Sequence, residues 1–330
     1  MKKLFAYCLL AALLLSGCGG ESAVPMVTAP PTTVPPTTAP KETLPIAPPV
    51  LNGWQQQDGQ WRFYVQDVPL TGWQELEGNW YYFEETGNMH TGFLEQEGDT
   101  YYFRPDGTMA TGEVELEGNK YFFTASGKQI VVVNPWNYVP EGYQVDLVEL
   151  GRDIAVEDMF VDATCYDALL EMMNACNREC PYVCVVSAYR TQEFQSRLYE
   201  NKVQRVMNAG VKDEAQARIL AAKEVAIPGT SEHQLGLAVD IVDTRHWSLD
   251  DEQAEQPAQK WLMENSWRFG FILRYPADKT AETGIIYEPW HYRYVGKALA
   301  AELFEADLTL EEYLQQLTDS TYTPPTTNME

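Results

Sequence analysis

The sequence predicts an α+β protein in which a β-hairpin repeat array precedes a mixed domain of helices and strands. Two patterns predict it. From Gly53 a unit of nineteen to twenty residues restarts at Gly72, Gly92 and Gly112, and each copy places a glycine-containing polar turn before an aromatic strand. After Pro135, apolar residues at helical spacing alternate with short apolar runs of strand length. With 330 residues, 45% of them hydrophobic, the chain has enough apolar surface to build a core.

The formal charge is -25, from 23 basic and 48 acidic residues. Such a surface repels phosphates, which excludes nucleic acid as a partner and argues against a polybasic membrane patch.

Residues 1–18 read as an export signal. Lys2 and Lys3 precede the apolar run "LFAYCLLAALLL", too short to span a bilayer but suited to the hydrophobic region of a signal peptide. The run ends in "LSGC", which resembles a bacterial lipobox, and the resemblance implies lipidation at Cys18. That would anchor the protein to the extracellular face of the membrane. Residues 19–50 are dominated by proline and threonine and read as an extended linker. At about 3.1 Å per residue in polyproline II, such a tether reaches on the order of 90 Å into the wall.

Residues 51–133 hold the four repeats. The turns Asp58-Gly59, Glu77-Gly78, Glu97-Gly98 and Glu117-Gly118 mark each copy as one hairpin. A lone hairpin is marginal in water, so the copies must bury their aromatic faces on one another. They resemble cell-wall-binding repeats of the choline-binding type, in which aromatic side chains of successive repeats cage a quaternary ammonium. The resemblance implies choline on teichoic acid, or a looser wall-glycan contact, as partner. Trp54, Trp61, Trp73, Trp80 and Tyr82 match the family's aromatic positions. Phe93, Thr100, Glu113 and Lys120 depart from them, so one or two complete cages at most are expected. His90 is expected to face solvent.

Residues 134–318 read as the second domain, and 319–330 are expected to be a disordered tail. "VEDMFVDATCYDALLEMMNACN" predicts a helix, "YVCVVSAY" a buried strand, and "TQEFQSRLYENKVQRVMNAG" a helix capped by Thr191. A third helix starts at Asp213 and stops before Pro228. "AQKWLMENSWRFGF" predicts a helix, "TGIIYEPWHYRYV" a strand, and two short helices follow. Outside the cytoplasm Cys165, Cys176, Cys180 and Cys184 permit disulfides, with three possible pairings.

Zinc catalysis needs three protein ligands, an open position and a carboxylate beside them. "SEHQLGLAVDI" puts His233 in the turn before Gly236 and Asp240 on the strand that follows, on the same face as the small Ala238. In "EPWH", Pro289 breaks regular strand geometry and can turn Glu288 and His291 toward one cleft. His246 and Asp243 read as loop residues.

"SAYR", "SEHQLGLAVDI" and "EPWHYRYVG", in this order, resemble the VanY-type D-alanyl-D-alanine carboxypeptidases, zinc peptidases of the hedgehog/DD-peptidase fold, over about residues 140 to 305. The pattern Ser-x-His-x-x-Gly-x-Ala-x-Asp is met from Ser231 to Asp240 at every fixed position. The resemblance implies a central antiparallel sheet flanked by helices and one Zn2+ held by His233, Asp240 and His291, with Glu288 as catalytic base. It implies that Arg190 contacts the peptide or stabilises the oxyanion, and that Ser231 helps seat the terminal carboxylate. Gln195 is expected to add a polar substrate contact. The implied reaction is removal of C-terminal D-alanine from peptidoglycan stem peptides, by D,D- or L,D-carboxypeptidase action. The alternatives are a non-catalytic wall-binding lipoprotein or adhesin and an endopeptidase of the same fold.

Overall fold

A computed structural model describes residues 50–318. The expectations for the signal segment, Cys18, the linker up to residue 49 and the tail from residue 319 lie outside the described residues. Among the described residues no helix is long and apolar enough to cross a membrane.

The repeats fold as predicted. Strands β1 (Gly53–Gln57), β2 (Gln60–Val65) and β3 (Val68–Pro69) form the first unit. Strands β4 (Gly72–Leu76) and β5 (Asn79–Phe83) form the second, and β6 (Gly92–Gln96) and β7 (Asp99–Phe103) the third. The fourth is β8 (Gly112–Leu116), β9 (Asn119–Phe123) and β10 (Gln129–Ile130). Each tight turn has both central residues at positive φ, as at Asp58 (54°) and Gly59 (78°), the geometry whose twist matches paired strands. Successive hairpins are joined through backbone as well as rings: the Met89 N–H donates to Trp61 O, and the Met109 N–H to Trp80 O. Phe83, Phe103 and Phe123 are fully buried between units.

The second domain opens with the antiparallel pair β11 (Leu147–Glu149) and β12 (Phe160–Asp162), followed by α1 (Ala163–Glu179). The predicted first helix is therefore shorter at its start. Asp162 ends the strand and caps α1 by accepting from the Thr164 N–H, so the preceding apolar residues pair as strand. Next come β13 (Val183–Ser187), α2 (Gln192–Asn208, capped by Thr191) and α3 (Glu214–Ala221, capped by Asp213). The third helix stops earlier than predicted, because residues beyond Ala222 form hydrogen-bonded turns. Then follow β14 (Ala238–Asp243), α4 (Pro257–Asn265), β15 (Phe271–Leu273), α5 (Thr280–Thr283), β16 (His291–Tyr294), α6 (Lys297–Ala306) and α7 (Leu310–Thr318).

The sheet has the order β13-β14-β16-β15 and is antiparallel throughout. One face, bearing Val239, Ile241 and Tyr292, packs into a core with Leu169, Met172, Met173 and Cys176 of α1 and Leu262 of α4. Period-two alternation turns the other face, with Ala238 and Asp240, away from that core. Cys165, Cys176, Cys180 and Cys184 are free thiols, and burial pushes Cys165 and Cys176 up to about 12. None of the disulfides that the sequence permits is formed among these four.

No gap separates the repeats from the domain. Phe122 and Val132 share a core with Ile272, Leu299, Tyr313 and Leu314. The Ala125 N–H donates to the Tyr313 hydroxyl, and the Glu113 N–H to Thr318 Oγ1. The C-terminal helix α7 is wedged against the fourth hairpin.

Candidate functional site

Strand pairing alone aligns three polar residues across the sheet: Ser187 opposes Asp240, and Asp240 opposes His291. An irregularity in register between Val185 and Ser187 brings β13 into that row. His233 reaches it from a 3₁₀ turn, Glu232–Leu235, closed by Gly236 in the left-handed conformation at φ 71°. A side chain on Gly236 would meet Val145 and the backbone nitrogen of Asp162, so only glycine fits.

His233 Nδ1 donates to Ala188 O at 2.8 Å, which leaves the lone pair on Nε2. That Nε2 lies 3.3 Å from Asp240 Oδ1, is buried and has no hydrogen-bond partner. His291 Nδ1 lies 3.1 Å from the same Oδ1. One ligand atom from each of His233, Asp240 and His291 falls within 4.8 Å of the others, and all three residues are buried. Two imidazoles and a carboxylate with an orphaned, inward-facing lone pair fit a catalytic zinc site with an open position. The carbonyl on His233 Nδ1 is the outer support such ligands use.

Glu288 stands beside this group, with Oε2 3.7 Å from His291 Nδ1. The predicted strand is shorter than expected, and Pro289 interrupts it as anticipated. The segment is a turn, with Pro289 at its second position and the His291 N–H donating to Glu288 O, and the strand starts only at His291. The turn puts Glu288 and His291 on one side. Burial pushes the Glu288 carboxyl up to about 8, against the lowering effect of His291 and with help from Asp240.

Arg190 is part of the same cluster. Its Nη2 donates to Asp240 Oδ2 at 2.7 Å and to Ser187 Oγ at 2.8 Å. Gln195, expected to touch substrate, does not face the cleft: it is 0% exposed, donates to Ala226 O and accepts from Arg190 Nη1. It backs the arginine instead. Ser231 precedes the 3₁₀ turn without making a side-chain cap bond, so capping does not explain its hydroxyl.

Glu232, Arg274 and Arg293 were not singled out in the sequence, yet they are almost wholly buried under the site. Glu232 Oε1 accepts from Arg274 Nε and Arg293 Nη1, each at 2.9 Å. Burial disfavours its charge, but the two guanidinium groups outweigh that and hold the carboxyl well below the usual range. His291 shows the same contest: burial disfavours its charge, and the bond to Asp240 together with the Glu232 carboxylate 3.5 Å from Nε2 reverses this and raises it to about 9. His233 is lowered to about 4 by burial and by Arg190.

Residues 158–297 match the model of the VanY family, D-alanyl-D-alanine carboxypeptidase. A D-alanyl-D-alanine carboxypeptidase of Enterococcus faecalis is 42% identical over 185 residues, which cover 56% of this chain and 65% of that protein. The chain thus spans just under two thirds of that curated relative. Among solved structures, a Zn(II) complex of a variant of the vancomycin-resistance D,D-pentapeptidase VanY is 42% identical with a TM-score of 0.50, covering 56% of this chain and 97% of that one. VanYB in complex with D-alanine-D-alanine gives the same identity and TM-score and is covered over 96% of its length. The chain belongs to the VanY D-alanyl-D-alanine carboxypeptidase family.

Ahead of the VanY-family segment, residues 71–89 match a cell wall binding repeat and residues 90–136 a choline-binding repeat. The geometry of the repeats amends the expected cages. Trp54 meets Trp61 edge-on at 6.3 Å and Tyr81 of the next hairpin at 5.1 Å. Trp73 repeats this with Trp80 at 6.3 Å and Tyr101 at 4.8 Å. Tyr82 instead pairs across its own hairpin with Trp73 and packs on Phe103. The third wall of each cluster is therefore Tyr81 or Tyr101. Trp61 and Trp80 are each 43% exposed, so both clusters are open to a ligand. In the next position Phe93 meets Tyr121 at 5.2 Å, but Thr100 supplies no ring. His90 does not simply face solvent: it bonds Glu84 and packs on Tyr82 and Phe103.

Proposed function

We propose that this chain is a zinc-dependent carboxypeptidase that removes C-terminal D-alanine from peptidoglycan stem peptides, held at the wall by its repeats. The observation that carries the reading is the convergence of His233, Asp240 and His291 in one buried cleft, with Glu288 3.7 Å from His291. The zinc-bound and D-alanine-D-alanine-bound relatives support the same metal and substrate class.

His233, Asp240 and His291 would hold the ion, and zinc when bound supplies Lewis acidity that polarises a carbonyl and acidifies water. Glu288 acts as general base: its Oε2 takes a proton from the attacking water and returns one to the leaving amine. Its raised affinity for protons suits that shuttle, since a base works best near ambient pH. Arg190 reaches Asp240 at 2.7 Å, so its guanidinium lies against the metal-ligand cluster, where a polarised carbonyl would sit. This supports a role on the developing oxyanion, with the substrate carboxylate left to Ser231. Requiring a free carboxylate selects the last residue of a chain and disfavours endopeptidase action.

Trp54, Trp61 and Tyr81, and Trp73, Trp80 and Tyr101, would each cage one choline of teichoic acid. The lipobox-like "LSGC" supports anchoring through Cys18 on the extracellular face of the membrane, with the linker letting the enzyme reach into the wall. Incubation of zinc-loaded protein with pentapeptide and tetrapeptide muropeptides, followed by mass analysis, tests the activity. Loss of one D-alanine is expected, and Glu288→Gln should slow it by about 10²- to 10⁴-fold while keeping zinc. Equal product release by variant and parent would reject the assignment.

A further inference from the structure

We infer that Glu232 is a positioning residue, holding His291 through its Nε2 edge and tying the metal centre to the C-terminal helix and the repeat junction. The inference rests on the metal-site reading above and deepens it.

The decisive feature is how the Glu232 carboxylate is shared. Both buried arginines converge on one oxygen, Oε1, at 2.9 Å each. The other oxygen, Oε2, is buried, has no hydrogen-bond partner and lies 3.5 Å from His291 Nε2, which is likewise buried and without a partner. A glutamate serving only to neutralise guanidinium groups could use both oxygens for them, as Glu311 does for Arg274. Here one oxygen is kept for the histidine. Nδ1, turned toward Asp240 and Glu288, is the nitrogen that would ligate the ion, so the neutral ring would then carry its proton on Nε2, where a carboxylate on that edge fixes the tautomer and the ring plane.

The same carboxylate is anchored from two sides. Arg274 grips Glu311 of α7 with both terminal nitrogens, at 2.8 and 2.6 Å, and Glu311 also accepts from Asn134 Nδ2 at 2.9 Å. Arg293 donates its Nη2 to Val131 O at 2.7 Å, just beyond the last hairpin. Two glutamates and two arginines balance in charge, so removing any one of them would leave an uncompensated buried charge. A shift of α7 or of the repeat junction would reach, through one of the two arginines, Oε1 of the carboxylate whose Oε2 faces His291.

Zinc affinity, measured on the full chain by competition with a chromophoric chelator, tests this without reference to activity. Glu232→Gln and Glu232→Asp should each weaken zinc by about 10- to 100-fold and shift the visible spectrum of the cobalt-substituted protein. The aspartate variant keeps the charge among the arginines and withdraws it only from His291, which separates positioning from charge balance. Glu311→Gln, remote from the ion, should weaken zinc about threefold or more. Folded Glu232 variants with the parent's affinity and cobalt spectrum would overturn the proposal. So would failure of both to fold as apoproteins, which would assign Glu232 to core charge balance. A parent chain that takes up no zinc would refute the metal-site reading itself, and this inference with it.

Discussion

Asp240 and His291 are direct partners across β14 and β16, and the imidazole Nδ1 lies 3.1 Å from the carboxylate it opposes. Register fixes the pair, because the residues flanking Asp240 are locked in the core and a one-residue slip would reverse both faces. With His291 raised to about 9, the metal-free site is protonated at neutral pH, whereas a ligating histidine must be neutral. Zinc uptake should therefore release a proton, and affinity should rise by about tenfold per pH unit below about pH 9. Chelator competition across that range checks it, and a flat profile would count against His291 as ligand.

Stability of the metal-free protein should run the other way. Glu288 (about 8 against 4.5) and His291 (about 9 against 6.5) both bind protons more tightly folded than unfolded. Their contribution is complete below the unfolded values and is lost as pH rises through the folded ones. The Tm of protein in chelator should fall by several degrees, order of magnitude, between about pH 6.5 and about pH 9. Zinc should abolish the slope; a Tm rising over this interval would show that neither group is proton-loaded.

Arg190 should not tolerate lysine. Its fork spans Ser187 Oγ and Asp240 Oδ2, a geometry a single ammonium cannot copy. Arg190→Lys is expected to lose about 10²- to 10³-fold in kcat with zinc content unchanged. A change confined to KM would instead place Arg190 at the substrate carboxylate.

The family resemblance of the motifs made the ligand set legible, and local rules that act over a few residues agree with it: Asp240 shares a face with Ala238, and Pro289 brings Glu288 and His291 together. What escaped it depends on contacts far along the chain. Glu232 sits at an unspecified position of its motif, and its partners Arg274 and Arg293 lie 42 and 61 residues away. The burial of Gln195 is set by Ala226, 31 residues on. Tyr81 and Tyr82 point to opposite faces of one strand, and only the stacking of hairpins decides which meets the preceding tryptophan. The apolar residues before Ala163 fit helix or strand equally until β11 pairs with them.

Gly236 gives a test of the scaffold. Alanine there meets a left-handed φ of 71° and the Asp162 backbone nitrogen at 2.9 Å, which cannot retreat without disturbing the α1 cap. Gly236→Ala should cost about 2–5 kcal/mol, combining the left-handed penalty with overpacking. Denaturant unfolding measures it, and a cost below about 0.5 kcal/mol would mean the turn rearranges freely.

The repeats should hold two cholines, not three. Trp54, Trp61 and Tyr81 close one cluster and Trp73, Trp80 and Tyr101 a second, while Thr100 leaves the Phe93 and Tyr121 pair without a third ring. A cation over an aromatic face gains about 0.5–2 kcal/mol, so Trp73→Ala or Tyr101→Ala should weaken one site by about 2- to 30-fold. Phe93→Ala should leave choline binding intact. Calorimetric titration with choline gives the stoichiometry directly, and retention on a choline matrix compares the variants. Unchanged retention of a Trp54→Ala, Trp73→Ala double variant would show that the wall is held by some other surface of the hairpins.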